Sequence, residues 1–354
     1  MSKSKSQGAF EYILLLGGIL LIVVLIIVIL KTAILSPANA NVQNTNNILN
    51  TISAVPEIPG PWTKYSCSTP VIPVSMAPTS ALRVVKTGGV YYGFYTNQTG
   101  GPTGQGNIGL LNSTDGVNWQ LVNSSILNPS PTGWDNYSVG LPSVIYSNGL
   151  FQMWYMGSNT TNVNSWTQSP GESVGLATST DAIHWTKNSN NPVFTPNATG
   201  TWDNYSIAPS VTVINDGGVY KMWYTGMSQS GFATSIGYAT SQDGVNWQRW
   251  NGTGGPVITN AITGVALKNG VYYLSLGVFA GSNFITEAST SNDGVAWSQP
   301  VITLTNSTGC FDSQQAFITS IILSNDQYQA WYYAYSSSPS GVGYATAPVN
   351  ILTP

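Results

Sequence analysis

A short string, Ser-x-Asp-Gly-x-x-Trp, recurs along the chain and constrains its fold more than any other feature. The Asp positions of successive copies lie 66, 62 and 50 residues apart. Repetition on this scale indicates an array of similar structural units. The copies are Ser113–Trp119, Ser179–Trp185 (with Ala182 in place of Gly), Ser241–Trp247 and Ser291–Trp297.

Each copy stands in the same context of short apolar and aromatic segments. A strand with small residues precedes the turn, and an aromatic strand lies upstream, as in 91–97, 151–157, 220–226, 272–278 and 328–334. A fifth small-residue strand, at 341–348, has no Asp-Gly turn after it. Each unit is therefore predicted to contain a hairpin of two strands, a variable loop and a third strand. A tight turn and an outer strand that carries Trp follow.

Five such units predict an all-β fold, a five-bladed β-propeller over residues 62–354. A lone four-stranded sheet cannot bury both faces, whereas sheets packed around an axis can. The Asp of each turn is expected to bond its own backbone, with Gly at the positive-φ position. The turn aspartates, which we interpret as structural, are Asp115, Asp181, Asp243 and Asp293.

The last unit has no outer strand after Pro348, so residues 62–75 are expected to supply it and close the ring. Cys67 and Cys310 fit this arrangement, because two cysteines far apart in an exported chain can form a disulfide bond that holds the closing blade together. The alternative is two free buried thiols.

Composition excludes several classes of function. Only 6% of residues are charged, the net charge is −3, and the ten basic residues are scattered; an average chain has about 25% charged residues. Nucleic-acid binding needs clustered Lys and Arg, so no nucleic-acid partner is expected. A single histidine, His184, and two cysteines exclude the usual zinc clusters. His184 lies in a turn, where we expect a surface residue.

The N-terminal region predicts one long apolar helix. Ile13–Leu30 is an uncharged run of 18 residues, and a helix of this length spans about 27 Å, close to a bilayer core. Lys3 and Lys5 favour a cytoplasmic N-terminus. One interpretation is a signal anchor. Another is a cleaved secretory signal, because Ala38-Asn39-Ala40 fits a small-residue cleavage site.

Glu11 favours a third interpretation, since a carboxylate beside an apolar run is costly in lipid unless it is paired. A cut between Ser6 and Gln7 would create an α-amino group able to neutralise Glu11 of a neighbouring copy. The basic leader, Gln7, Gly8, the Glu11-Tyr12 pair and the apolar helix resemble the class III signal peptide of archaeal type IV pilin-like proteins. The resemblance implies a prepilin-type peptidase, a membrane stage and assembly of copies through the helix. The boundaries are 1–6 leader, 7–35 helix, 36–61 linker and 62–354 propeller.

The propeller units resemble the five-bladed glycosidase superfamily, which includes arabinanase-like, fructosidase-like and mannoside-phosphorylase-like proteins. The residues that carry this resemblance recur in two units: Trp134-Asp135, Pro142-Ser143-Val144, Met153-Trp154-Tyr155 and Gly175–Trp185, then Trp202-Asp203, Pro209-Ser210-Val211, Met222-Trp223-Tyr224 and Gly237–Trp247. The resemblance also implies a catalytic Asp at the start of the first blade, but residues 71–82 contain no acid. The Arg-Asp-Pro and Glu-Cys signatures of the fructosidase-like branch are absent from the sequence as well.

Glycoside hydrolysis needs two carboxyl groups facing one pocket. Asp135, Asp203 and Asp312 share one repeated position before an innermost strand, so they can converge at one mouth of the channel. The alternative is that each caps its loop and orients the adjacent aromatic residue. Glu287 stands where other units have glycine, at Gly109, Gly175, Gly237 and Gly343. A Glu in place of a repeated Gly indicates either a functional residue or a side chain that fills a local space. Candidates for stacking on sugars are Trp134, Tyr137, Trp202 and Tyr205.

No cofactor is predicted, although calcium at the mouth is an alternative, because oxygen ligands are abundant there. Nine Asn-x-Ser/Thr sequons are candidate glycosylation sites in an exported chain: Asn97, Asn112, Asn123, Asn136, Asn159, Asn197, Asn204, Asn251 and Asn306.

These features lead to three functional hypotheses for a cell-surface protein. The first is a pilin-like filament subunit or anchored adhesin whose propeller binds glycan or another surface, and which is not an enzyme. The second is an anchored or secreted glycoside hydrolase that uses Asp135, Asp203 or Asp312 with Glu287. The third is a propeller that only coats a filament.

Overall fold

The computed structural model describes residues 61–77, 82–98, 105–160, 171–228, 234–252, 255–269, 271–280, 283–324, 327–335 and 340–349. Within these ranges the regular elements are all strands. The predicted leader, the helix 7–35 and nearly all of the linker lie outside them. In the described part of the chain, no helix has the length and apolar character needed to span a bilayer.

The strands form five antiparallel groups, here called blades 1 to 5, with a first, second, third and outer strand. A single parallel bridge between Phe284 and Gln315 joins the groups of blades 4 and 5 into one nine-stranded sheet. Blade 1 contains β3 (Leu82–Thr87), β4 (Val90–Gln98), β5 (Gly106–Ser113) and β6 (Gln120–Leu127). Blade 2 contains β7 (Ser138–Ser147), β8 (Leu150–Ser158), β9 (Ser173–Ser179) and β10 (Thr186–Lys187). Blade 3 contains β11 (Ser206–Asp216), β12 (Val219–Met227), β13 (Thr234–Ser241) and β14 (Gln248–Arg249), with β15 (Ile258–Thr259) also paired to β13.

Blades 4 and 5 complete the set. Blade 4 contains β16 (Ile262–Asn269), β17 (Val271–Ala280), β18 (Asn283–Ser291) and β19 (Val301–Leu304). Blade 5 contains β20 (Gln315–Ser324), β21 (Gln327–Tyr335) and β22 (Gly341–Pro348), together with β1 (Thr63–Lys64) and β2 (Ile72–Pro73) from the other end of the propeller region.

The first strands of the five sheets form a closed ring. β3 contacts β7, β7 contacts β11, β11 contacts β16, β16 contacts β20, and β20 returns to β3. Buried apolar clusters fill the spaces between neighbouring sheets, such as Trp154 and Met156 of blade 2 with Val211 and Met222 of blade 3. This is the arrangement of a five-bladed propeller, in which each sheet buries both faces against its neighbours.

Residues from both ends of the propeller region build blade 5, as the sequence predicts. Thr63 pairs with Thr346 and Lys64 with Ala345, while Ile72 pairs with Val342. Cys67 and Cys310 form a disulfide with a Cα–Cα distance of 4.7 Å. The expected bond is therefore present, and it fixes the short closing strand to the loop before β20.

The Asp-Gly turns have the structural role that their repetition indicates. Asp243 Oδ1 accepts hydrogen bonds from the backbone N–H groups of Val245 and Asn246, at 2.9 and 2.8 Å. These backbone bonds hold the pKa of Asp243 well below its usual range. The second copy adds a 2.7 Å contact between Asp181 Oδ2 and Nδ1 of the exposed His184 ring. His184 is therefore a surface residue of a turn.

The same turns join neighbouring blades through the aromatic strand of the preceding blade. The indole N–H groups of Trp154, Trp223 and Trp331 donate to the turn carbonyls of Gly244, Gly294 and Gly116, respectively, at 2.8–2.9 Å. A Cβ at Gly244 would lie 2.7 Å from the Trp154 ring. Blade 1 has Phe94 where these blades have Trp, and blade 2 then accepts Ala182 at a φ of 66°. The smaller ring explains why this turn alone among the four contains alanine.

Candidate functional site

The loops that lead into β7, β11 and β20 contain the three repeated aspartates, and each Asp is buried in an ion pair. Asp135, Asp203 and Asp312 have side chains only 1% exposed. In each case the partner is a cation two residues after a Trp on the outer strand of the same blade. A tyrosine of the second strand packs beside the pair. We call each set an aspartate lock: Asp135–Tyr155–Lys187, Asp203–Tyr224–Arg249 and Asp312–Tyr332–Lys64.

The lock of blade 3 shows the geometry. Tyr224 donates its hydroxyl proton to Asp203 Oδ2 at 2.9 Å, and Arg249 Nε donates to the same oxygen at 2.9 Å. The Arg249 guanidinium also lies 3.9 Å from the centroid of the Phe194 ring. One carboxylate thus joins the lead-in loop, the second strand and the outer strand of one blade.

The other two locks follow the same plan. Tyr155 and Lys187 donate to Asp135 Oδ2 at 3.0 and 2.6 Å. In blade 5 Lys64 bonds Asp312. Burial, and then the charge of the adjacent carboxylate, raise the pKa of Tyr155 and of Tyr332 far above the ordinary tyrosine value. Both tyrosines therefore stay protonated. Tyr155 donates to its aspartate, whereas the buried Tyr332 hydroxyl has no hydrogen-bond partner among the described residues.

The contacts of these aspartates lie within single blades, and their convergence on the channel mouth stays a prediction. Among the described residues, no three His, Cys, Asp or Glu side chains come together as a metal-binding group. Each carboxylate instead faces a cation and a tyrosine of its own blade. A buried carboxylate fixed in this way holds its loop against the outer strand of the same blade. The capping interpretation of these loops fits the geometry better than the catalytic one.

Glu287 occupies space that a tyrosine fills in the other blades. The repeated glycines lie directly opposite tyrosines, as Gly175 does opposite Tyr155 and Gly237 opposite Tyr224. A Cβ at Gly175 would lie 2.6 Å from the Tyr155 ring. In blade 4 the residue opposite Glu287 is Leu276. The smaller leucine leaves room for the Glu287 side chain, which is half-buried.

The aromatic candidates for sugar stacking are packed against their own blades. Trp134 stacks on Tyr155 and Trp202 on Tyr224, with ring centroids 5.7 and 5.8 Å apart. Trp134, Trp202, Tyr137 and Tyr205 are all half-buried. Each tryptophan thus uses one ring face within its blade, and only the remaining ring surface is left for a ligand.

Glu172 is not among the candidates named from the sequence, but the structure buries it between blades 2 and 3. Its side chain is fully buried, and Ser206 donates a 2.6 Å hydrogen bond to its Oε2 atom. Its carbonyl accepts a hydrogen bond from Ile207, and Gly171 donates to Tyr205. Glu172 therefore lies beside the loop that leads into β11. The sequence signal is the lone acid at a position where the other units have Gly106, Thr234, Phe284 and Ser340.

The sequons differ in their accessibility. Five of the nine asparagines are exposed: Asn123, Asn136, Asn159, Asn197 and Asn251. Asn112, Asn204 and Asn306 are half-buried. Asn97 is buried, and its amide nitrogen donates to the Ser124 carbonyl at 3.0 Å. In the folded propeller Asn97 is thus a poor acceptor for a glycan.

A cleft of about 480 Å³ lies away from the lead-in loops, between the first hairpins of blades 2 and 3. Ile145, Tyr146, Asn148 and Asn215 are among its lining residues. None of the residues predicted as catalytic or sugar-binding lines this cleft.

Comparison with known proteins relates the fold to glycosidases. No protein family model matches the chain. An uncharacterised protein of Mycobacterium tuberculosis, found in strains CDC 1551 and H37Rv, is 34% identical over 118 residues, which is 32% of this chain and 35% of that protein. The match thus spans about a third of the relative's length.

Solved structures match far more of the chain. A glycoside hydrolase superposes with a TM-score of 0.65 at 19% identity, covering 84% of this chain and 95% of its own. A family 117 glycoside hydrolase of the marine bacterium Zobellia galactanivorans gives 0.59 at 14% identity, covering 83% and 92%. A structure from the GH130 family of mannoside phosphorylases, which contains hydrolases targeting β-1,2 mannosidic linkages in Candida mannan, gives 0.62 at 16%, covering 82% and 94%. At these identities the likeness establishes the fold, which is that of glycoside hydrolase propellers.

Proposed function

We propose that the propeller is a carbohydrate-directed domain that holds a glycan on the face formed by the loops leading into the first strands. The neighbouring glycosidase structures support this proposal, since they match the propeller over nearly their whole length. They favour a glycosidase-like protein over a filament subunit as the description of this domain.

The three aspartate locks are the observation that supports recognition over hydrolysis in this proposal. Described carboxylates belong to the turns, to the locks or to the Asp216–Lys221 ion pair, apart from Glu172 and Glu287. Glu172 precedes β9 of blade 2, and Glu287 lies in β18 of blade 4. A glycosidase needs two carboxyl groups about 5–10 Å apart across one sugar linkage. We therefore favour glycan recognition without hydrolysis.

A glycoside hydrolase is the second candidate, and burial of Glu172 is the observation that favours it. A fully buried carboxyl group beside the loop of Tyr205 and Ser206 has the kind of environment in which glycosidases keep a general acid. In this version Glu172 would donate the proton to the leaving group.

Binding and hydrolysis can be measured on the same glycans with the purified full-length protein. We expect binding on a glycan array without release of reducing sugar. Tyr137→Ala should weaken binding by roughly 2- to 10-fold, because a stacked aromatic ring contributes about 0.5–1.5 kcal/mol. Glu172→Gln should leave binding unchanged. Sugar release by the wild type that Glu172→Gln abolishes would instead establish the hydrolase, and absence of both binding and release would reject a carbohydrate ligand.

We further propose that the chain is exported and held at the cell surface by the segment 7–35, as a single anchored protein or by assembly with copies of itself. The disulfide supports export, because such bonds persist in oxidising compartments. The membrane and a prepilin-type peptidase are the partners that this proposal requires.

The mature N-terminus of the native protein tests this proposal. We expect intact mass and terminal peptide sequencing to give a start at Gln7, as processing by a prepilin-type peptidase requires. A start at Asn41 would mean a secreted protein without the helix, and an intact Met1 would mean a plain membrane anchor. Either of these results would remove the pilin-like interpretation.

A further inference from the structure

Arg83 occupies a position at which other blades have short hydroxyl side chains. It pairs with Phe94 across the first hairpin of blade 1. The residues in the same register of blades 2, 3 and 5 are Ser143, Thr212 and Ser320. A long cation therefore replaces a small neutral group on the innermost strand of one blade.

The contacts of Arg83 place its guanidinium at the centre of the ring. Nη2 donates to the Gly264 carbonyl of blade 4 at 2.7 Å and to Ser210 Oγ of blade 3 at 3.3 Å. Nη1 donates to the Thr319 carbonyl of blade 5. Blades 3 and 4 do not neighbour blade 1, so a side chain that reaches both must cross the axis of the propeller.

The charge of Arg83 has no carboxylate partner among the described residues. The chain contains two arginines, and the other, Arg249, is paired with Asp203. Arg83 is only 7% exposed, and its Nε atom is buried with no hydrogen-bond partner in the described part of the chain. Burial lowers the pKa of Arg83 to about 10. An uncompensated buried charge is strongly unfavourable, and a buried N–H without an acceptor adds to that cost.

We propose that the centre of the propeller binds one small monovalent anion, such as chloride, against Nε of Arg83. The anion supplies both missing elements, a negative charge and an acceptor for the unpartnered N–H. Its site lies among first-strand residues of several blades, so binding stabilises the closed ring. The test of this site does not depend on any carbohydrate.

Bromide tests the position of the site, because it substitutes for chloride and scatters anomalously. Crystals of the full-length protein grown in sodium gluconate and soaked in sodium bromide should show an anomalous peak within hydrogen-bonding distance of Arg83 Nε. The absence of such a peak, when other surface bromides are visible, would overturn the proposal. This measurement uses only the wild type.

Thermal unfolding in sodium chloride and in sodium gluconate, at equal ionic strength, tests the energetic role. Chloride at a hundredfold excess over its dissociation constant should shift the wild-type folding equilibrium by about 100-fold. Arg83→Met, which removes the cation but fills similar space, should lose this chloride-specific shift. The matched variant Arg249→Met should keep it. An equal chloride response in wild type, Arg83→Met and Arg249→Met would contradict a site at Arg83.

Discussion

Replacement of Asp203 by alanine is expected to lower the free energy of unfolding by about 2–4 kcal/mol, which makes the lock of blade 3 a major structural element. The change leaves the Tyr224 hydroxyl without its acceptor and Arg249, with a side chain 24% exposed, without its counter-charge. Partial exposure lets water solvate the cation, so the cost falls below that of a fully buried pair. Chemical denaturation of the full-length protein measures it.

A double-mutant cycle separates loss of the pair from loss of packing. Asp203→Ala combined with Arg249→Met should be less destabilising than the sum of the single changes, because the second change removes the stranded charge. Asp181→Ala is a useful control, since this aspartate belongs to an exposed turn and should cost much less. If Asp203→Ala melted like the wild type but lost activity on a glycan, the residue would be catalytic and the lock interpretation would be wrong.

Reduction of the disulfide is expected to destabilise the propeller by about 2–5 kcal/mol. The bond joins residues separated by 243 positions, and closing so long a loop removes much of the freedom of the unfolded chain. The strands that it holds are short, since β1 and β2 each contribute two residues to the pairing with β22. The bond therefore stabilises the weakest part of the ring.

The chain contains no other cysteine, so a reductant acts on this bond alone. Thermal melts with and without dithiothreitol measure the effect, and the Cys67→Ala/Cys310→Ala variant is the control. That variant should melt like the reduced wild type and should show no response to the reductant. If dithiothreitol left the wild-type melting temperature unchanged, although mass spectrometry confirmed that the bond was reduced, this role for the bond would be ruled out.

The sequence predicts the architecture well because the blade-forming residues repeat. The Asp-Gly turns, the five aromatic strands and the use of residues 62–75 to close blade 5 follow from local patterns, and all are present in the structure. The locks were harder to predict, because each joins positions far apart in sequence. Lys64 and Asp312 are 248 residues apart, and only alignment of the units shows that blades with the Asp also carry the cation.

Alignment of the units also shows where that coupling is absent. Blades 1 and 4 have Leu121 and Gln299 in place of the cation, and their lead-in loops contain no acid. The character of the functional face was less predictable than the fold. A carboxylate in a repeated motif is chemically the same residue whether it faces a substrate or an arginine, and only burial and partners distinguish the two. The same holds for Glu172, whose importance depends on a neighbouring blade.

The construction of blade 5 from both ends of the propeller region governs when this protein can finish folding. Thr63 and Lys64 leave the ribosome long before Ala345 and Thr346, with which they pair. Blades 1 to 4 can form in order from contiguous segments, but the ring stays open until residues 341–348 are released. Closure is thus a late and strongly non-local event, of the kind that slows folding. Until that step the unfinished chain exposes the faces of blades 1 and 4 that pack against blade 5.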